Sequence, residues 1–291
     1  MPLQPTLELH GIQFFNNAPD CITHFESSHW TEKALSLIQS YGTTLLAFLH
    51  KIERFIRQVD VQMHSFTHSN GVGFSHNKLI VCVHGLNADP SQFKSIINEI
   101  QKHELLETDI YIPRVIKKGN VALDEAVRPI FEEIVRWATN PGDKELVLIG
   151  ISNGSRISRA IEAEIAKSER LENIKKLRFI SIVGACKGSS MMNLANRIGL
   201  SWIKPKIISE EMPTDSARNQ LLNHEWFNGL NNGPRREYYF IASPHDWTVP
   251  NYDSTLMEVA GHRTHYAIVP GQGHNTIEVA RAKSIAEIIL T

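Results

Sequence analysis

The stretch Gly150-Ile151-Ser152-Asn153-Gly154 follows an apolar run of strand length and leads directly into a helix-like run. A serine in that context suits nucleophilic chemistry. Its hydroxyl is a weak nucleophile until a neighbouring base takes the proton, and an imidazole doing so needs a carboxylate to fix its tautomer. A sharp strand-to-helix turn forces the serine into a strained backbone conformation, and glycines two positions either side keep side chains out of that turn. Two later apolar runs end in loops that offer the other residue types. "ASPHDWTVP" carries Asp246 and "PGQGHNTI" carries His274. The order along the chain is serine, acid, histidine, each after a different strand-like run. A fourth stretch, "VCVHGLNADPSQF" (81–93), ends a strand in His84-Gly85. A turn there can aim backbone N–H groups at a developing oxyanion, and the Leu86 and Asn153 amides are the two candidate donors.

Each assignment has rivals. Asp253 and Asp215 compete for the acid, but Asp253 falls farther from the strand end and Asp215 lies in a mixed segment distant from any strand end. His245 and His265 compete for the base, but His265 begins a strand and His245 directly precedes the acid. His84 fits better as a residue that shapes the oxyanion turn. His64, His68 and His76 suggest a metal site, yet their irregular spacing in and beside a Gly/Ser/Asn/His loop (65–77) reads as a solvated loop, and no metal is expected.

The elements needed to position these residues can be read from the apolar pattern. Continuous apolar runs at 79–83, 109–115, 145–150, 177–184, 237–243 and 265–270 alternate with amphipathic runs near 91–103, 122–138, 154–168 and 276–290. Strands that are apolar on both faces indicate a mostly parallel sheet flanked by helices, an α/β fold. In such sheets ligands bind beyond the carboxyl ends of the strands, which is where the serine, acid and histidine fall. The alternation breaks at 185–236. Before it, residues 1 to about 30 read as irregular, with three prolines and paired asparagines. Over residues 31–60, Leu35, Ile38, Tyr41, Leu45, Phe48 and Ile52 recur at helical spacing. The simplest reading of that helix is packing on the main domain. A protein partner and an interfacial membrane contact are the other two, the last weakened by the few basic residues on the polar face.

With 291 residues, 42% hydrophobic, the chain is long enough for a large core, and a formal net charge of −1 argues against a nucleic-acid surface. Three cysteines without regular spacing suggest neither a disulfide framework nor a zinc site. The N-terminal stretch lacks a basic segment followed by an apolar one, so no Sec-type signal peptide is expected, and a cytoplasmic location follows, with non-classical secretion left open.

The motifs "VHGLNADPSQF", "GISNGSR", "HDWTVP" and "GQGH" together resemble the α/β-hydrolase family, in its bacterial lipase/esterase-like branch, over roughly residues 79–291. The resemblance implies a Ser152–Asp246–His274 triad, no organic cofactor, and a cap or lid at 185–236 over an acyl pocket. It divides the chain into an N-terminal extension (1–75) and a hydrolase domain (76–291). Within the cap, Met191, Met192, Leu194, Ile198, Leu200 and Trp202 recur at partly helical spacing, either as ordinary packing or as an apolar wall for an acyl chain. Ser155 stands where relatives often have glycine, and "GACKGSS" (184–190) departs from the family's usual loop. The expected activity is hydrolysis of carboxylic esters, the substrate a small acyl ester or a lipid. The alternatives are a thioesterase or acyltransferase on the same residues, and a non-catalytic hydrolase-fold binding protein acting through its N-terminal helix.

Overall fold

The computed structural model describes residues 4–56, 74–103, 107–199, 205–231, 233–250 and 252–291, with the backbone alone at 47–56 and 253. His64, His68, Leu200 and Trp202 lie outside the described residues.

The first described segment is regular, contrary to the irregular reading of residues 1 to 30. Strands β1 (Leu7–Leu9) and β2 (Ile12–Phe14) form an antiparallel hairpin. Its two-residue turn has φ of 42° at His10 and 79° at Gly11, the positive values that match the twist of a two-residue hairpin. Helix α1 (Ala18–Ser27) follows, capped by Asn17, whose side chain accepts the Asp20 amide at 2.8 Å, with Pro19 in its first turn. An asparagine just before a proline is a helix-start signal. Helix α2 (Trp30–Ile56) is the long N-terminal helix.

The main sheet begins at β3 (Lys78–Val83), followed by α3 (Lys94–Gln101), β4 (Thr108–Tyr111), α4 (Leu123–Ala138), β5 (Lys144–Ile151), α5 (Asn153–Lys167) and β6 (Ile174–Ile182). β4 is shorter than its apolar run because Pro113, two residues beyond its end, cannot donate to a ladder. The mixed segment contains α6 (Ser190–Arg197), α7 (Lys206–Glu211) and α8 (Ala217–Gly229). The chain ends with β7 (Arg235–Ala242), α9 (Tyr252–Thr255), β8 (Arg263–Ile268), α10 (Ile277–Ala280) and α11 (Ala282–Leu290).

The six strands pair in the order β4-β3-β5-β6-β7-β8, and every pairing is parallel. Side chains alternate between two buried layers. Leu146 and Leu148 of β5 join Phe179, Tyr238 and Phe240 beneath α4, α5 and α8. Val147, Ile149 and Ile151 join Ile180, Ile182 and Ile241 beneath α3 and α11. Each fully buried Val, Leu or Ile contributes ~1.5–3 kcal/mol relative to exposure, which explains the continuous apolar runs. The N-terminal segment covers the outer edge of β8, where Phe15 and Tyr266 exchange two backbone hydrogen bonds of 2.8 and 2.9 Å. The chain runs from β3 outward to β4 and then back to β5 on the other side, so β5 emerges at the point where the strand order reverses.

The segment 185–236 is not uniform. Leu222 and Trp226 of α8 are buried in the main core, whereas Met191, Leu194 and Ile198 on and after α6 are exposed. Helix α2 does pack on the domain, but through Ser36 and Ser40, which are buried. Its apolar residues Leu35, Ile38, Tyr41 and Leu45 face outward.

Candidate active site

Ser152 sits between β5 and α5 with φ 56° and ψ −124°. A non-glycine residue at positive φ is strained by ~1–3 kcal/mol and persists only when its surroundings hold it. Here its N–H donates to Ile182 O at 3.0 Å, and its carbonyl accepts the Ser155 and Ala185 amides, each at 3.0 Å. A Cβ on Gly150 would collide with the Ser155 backbone, and one on Gly154 with the carbonyl of Val83. Both glycines are therefore required by close approach. Ser155 has a role of its own: its hydroxyl donates to Gly150 O at 2.8 Å and accepts from Ser181 Oγ at 3.1 Å, bracing the turn from within.

His274 and Asp246 arrive on the loops after β8 and β7. His274 Nε2 lies 2.8 Å from Ser152 Oγ, and His274 Nδ1 lies 2.6 Å from Asp246 Oδ2. An ionised carboxylate only accepts, so Nδ1 carries the proton and Nε2 is left to accept from the serine hydroxyl. The other carboxylate oxygen, Asp246 Oδ1, accepts the Thr248 and Val249 amides at 2.8 and 2.9 Å, which fixes the plane of the group. All three side chains are largely shielded from solvent.

The competing residues lie elsewhere. Asp215 is exposed, and the Asp253 side chain is outside the described residues. His245 Nε2 contacts Ser36 Oγ at 3.0 Å, and His265 Nε2 contacts Glu237 Oε1 at 3.3 Å. His76 bonds Asp109 at 3.0 Å. His84 is buried beside the turn after β3. Its Nδ1–H donates to Gly85 O at 2.9 Å and its Nε2 accepts the Val115 amide at 3.1 Å. Burial holds its pKa below the usual histidine value, in keeping with a neutral ring that accepts at one nitrogen and donates at the other.

The turn after β3 lies against Ser152: a Cβ on Gly85 would stand 3.1 Å from Ser152 Cβ. The Gly85 amide is taken by Gln92 Oε1 at 2.9 Å, and Ala88 N–H closes the turn onto Gly85 O at 3.2 Å. Leu86 and Asn87 occupy its centre, Asn87 at φ 59°. Asn153 is the first residue of α5. Its N–H is therefore one of those a helix leaves without an internal partner. Asn87 N–H donates to Lys118 O at 2.9 Å, tying this turn to the loop that follows β4.

A small apolar cluster flanks these loops. It joins Ala185, Ile208, Met212 and Val249 with the partly buried Leu86, Met192 and Ile207. It brings the turn after β3, the loop bearing Asp246 and the segment after β6 together.

Reading the sequence missed three supporting residues. Gln92 fixes the turn after β3, and Ser36 and Ser40 bond the histidine loop. A serine pair at i and i+4 in an amphipathic helix was the available signal, and nothing in the sequence says which residues such a pair would meet.

No family model and no curated protein matches this sequence. Among solved structures, a lipolytic enzyme of the metagenome-derived pair LipS and LipT superposes with a TM-score of 0.51 at 12% identity, covering 75% of this chain and 94% of that one. An extracellular α/β-hydrolase from a Paenibacillus species gives a TM-score of 0.47 at 14% identity, covering 73% and 97%. Est1E from Butyrivibrio proteoclasticus gives 0.45 at 14% identity, covering 77% and 88%. Identities this low speak to the fold alone. Taken with the parallel six-stranded sheet and the strained serine where its strand order reverses, the first of these likenesses establishes that the chain has the α/β-hydrolase fold.

Proposed function

We propose that this protein is a serine hydrolase of carboxylic esters. The reading rests on one observation above all: the unbroken hydrogen-bonded series Ser152 Oγ, His274 Nε2, His274 Nδ1, Asp246 Oδ2. Ser152 Oγ attacks the ester carbonyl while His274 Nε2 takes its proton. The imidazolium that forms is stabilised by Asp246, which two backbone amides hold in place. The Leu86 and Asn153 amides receive the oxyanion. Collapse of the tetrahedral intermediate expels the alcohol, protonated by His274, and leaves an acyl group on Ser152. Water, deprotonated by His274, then attacks that acyl group and restores the serine. The cluster of Leu86, Met192, Ile207 and Val249 supplies an apolar wall for the acyl chain. Thioester cleavage and acyl transfer would use the same residues and differ only in the leaving group or acceptor.

The test is covalent. A fluorophosphonate added to pure protein should form an adduct on the peptide containing Ser152, with none in Ser152→Ala and a much slower one in His274→Ala. A series of p-nitrophenyl esters then defines the acyl preference. Well-folded protein that neither labels nor hydrolyses any ester would overturn the reading.

A further inference from the structure

The loop bearing His274 runs between β8 and α10, and it is held largely by a helix from the other end of the sequence. Gly271 N–H donates to Ser36 Oγ at 2.8 Å, and Ser40 Oγ donates to Gln272 O at 3.0 Å. The third tie is Ser243 Oγ, which also donates to Gln272 O. Among the described residues, these three hydroxyls make the hydrogen bonds that connect residues 271–273 to the rest of the chain beyond their own turn. Two of the three come from α2. Ser36 and Ser40 are one helical turn apart on the same face and each is 3% exposed. Ser36 also bonds His245, the neighbour of Asp246, at 3.0 Å, so one hydroxyl touches both the acid loop and the base loop. The fit is close: a Cβ on Gly273, the residue before the histidine, would run into Thr44 Oγ1 of α2.

This contact is not the usual way a helix docks. Among the described side chains of α2, Leu35, Ile38, Tyr41, Leu45 and Leu46 are exposed while Ser36 and Ser40 are buried, so this part of the helix meets the domain through hydroxyls rather than apolar groups. The hydroxyls are spent on backbone groups within three residues of His274.

We propose that Ser36 and Ser40 are positioning residues for His274, and that α2 thereby sets the approach of Nε2 to Ser152 Oγ. The proposal rests on the reading of Ser152, Asp246 and His274 as a catalytic triad. A small displacement of a base from its reacting partner costs up to about 100-fold in rate, and such a loss falls on kcat because substrate binding is untouched.

The experiment compares the full-length protein with its Ser36→Ala/Ser40→Ala variant, using p-nitrophenyl butyrate turnover and the rate of fluorophosphonate labelling at Ser152. Near-UV circular dichroism verifies the fold. The expected result is a fall in kcat and labelling rate of about 10- to 100-fold with KM near the parent's. The low-field NMR resonance of the His274 Nδ1 proton should shift or broaden as well. A second comparison serves if the double variant does not fold. Gly273→Ala should slow turnover by pushing the loop off Thr44, and adding Thr44→Ala should restore most of the rate. Parental kcat in the folded serine variant, or no recovery in the Gly273/Thr44 pair, would overturn the proposal while leaving the triad reading intact. A parent protein that neither turns over nor labels would remove both.

Discussion

Helices α5 and α2 both reach the candidate site, and they reverse the usual rule of burial. α5 contains Arg156, Arg159 and Glu162, yet it is buried along most of its length. α2 presents Leu35, Ile38, Tyr41, Leu45 and Leu46, yet these are exposed. The difference lies in what surrounds each helix. α5 packs on the sheet flanked by α4 and α8, and its buried charged side chains find partners there. Arg156 meets Asn219 at 2.6 Å, and Arg159 meets Cys186 O at 2.7 Å and stacks over the Trp226 ring. Glu162 accepts from Arg236, Trp226 and Tyr238 at 2.9, 2.7 and 2.6 Å. Burial lowers both arginines to about 10, far above neutral pH, so they remain charged and their pairing is obligatory. α2 lies across two loops rather than on a sheet face, and loops offer backbone groups to bond rather than apolar surface to cover. The two helices thus position their catalytic candidates differently. Ser152 is fixed by a strained turn inside a packed scaffold, and His274 by hydroxyls reaching in from outside.

Substitutions can break this comparison at several points. Ser152→Ala should abolish ester turnover, a loss of about 10⁶-fold for a residue of this role, and stopped-time product assays will read it. Asp246→Asn leaves the hydrogen-bonding shape but supports the wrong imidazole tautomer, and kcat should fall by about 10⁴-fold. Full activity in that variant would transfer the acid role away from Asp246. On the scaffold side, Ile157→Ala in α5 should destabilise by ~2–5 kcal/mol in urea titrations because it opens a cavity in a packed core; the residue is 1% exposed. Ile38→Ala in α2, at 68% exposure, should change stability by less than about 0.5 kcal/mol. Comparable losses at Ile38 and Ile157 would mean that the outward face of α2 is covered in solution.

The sheet, the Ser152 turn and the loops bearing Asp246 and His274 were legible because each leaves a local mark. The apolar runs of β3, β5, β6, β7 and β8 mark double-sided burial, and Gly150 and Gly154 mark a turn with no room for Cβ atoms. The single run read at 276–290 is broken at Arg281 into α10 and α11, a kink that periodicity alone passes over. The orientation of α2 was not legible. A helical repeat reveals that one face differs from the other, and it does not state which face the rest of the chain will meet. The Ser36 bond to Gly271 was hidden for a related reason: it depends on where a distant backbone amide falls once the sheet has formed, and the Gln92 bond to Gly85 depends on the local path of a turn.

The span of these contacts has a kinetic consequence. The bracing bond of the Ser152 turn, Ser155 to Gly150, joins residues 5 apart. The bond from Ser36 to Gly271 joins residues 235 apart. Closing a long loop costs more chain entropy than closing a short one, and contacts of long span form late. During folding the Ser152 turn therefore takes its place before the clamp on the His274 loop is closed. A chain still acquiring its structure holds Ser152 without a braced His274 beside it, and the hydrogen-bonded series through Asp246 is completed only once its most distant parts have met.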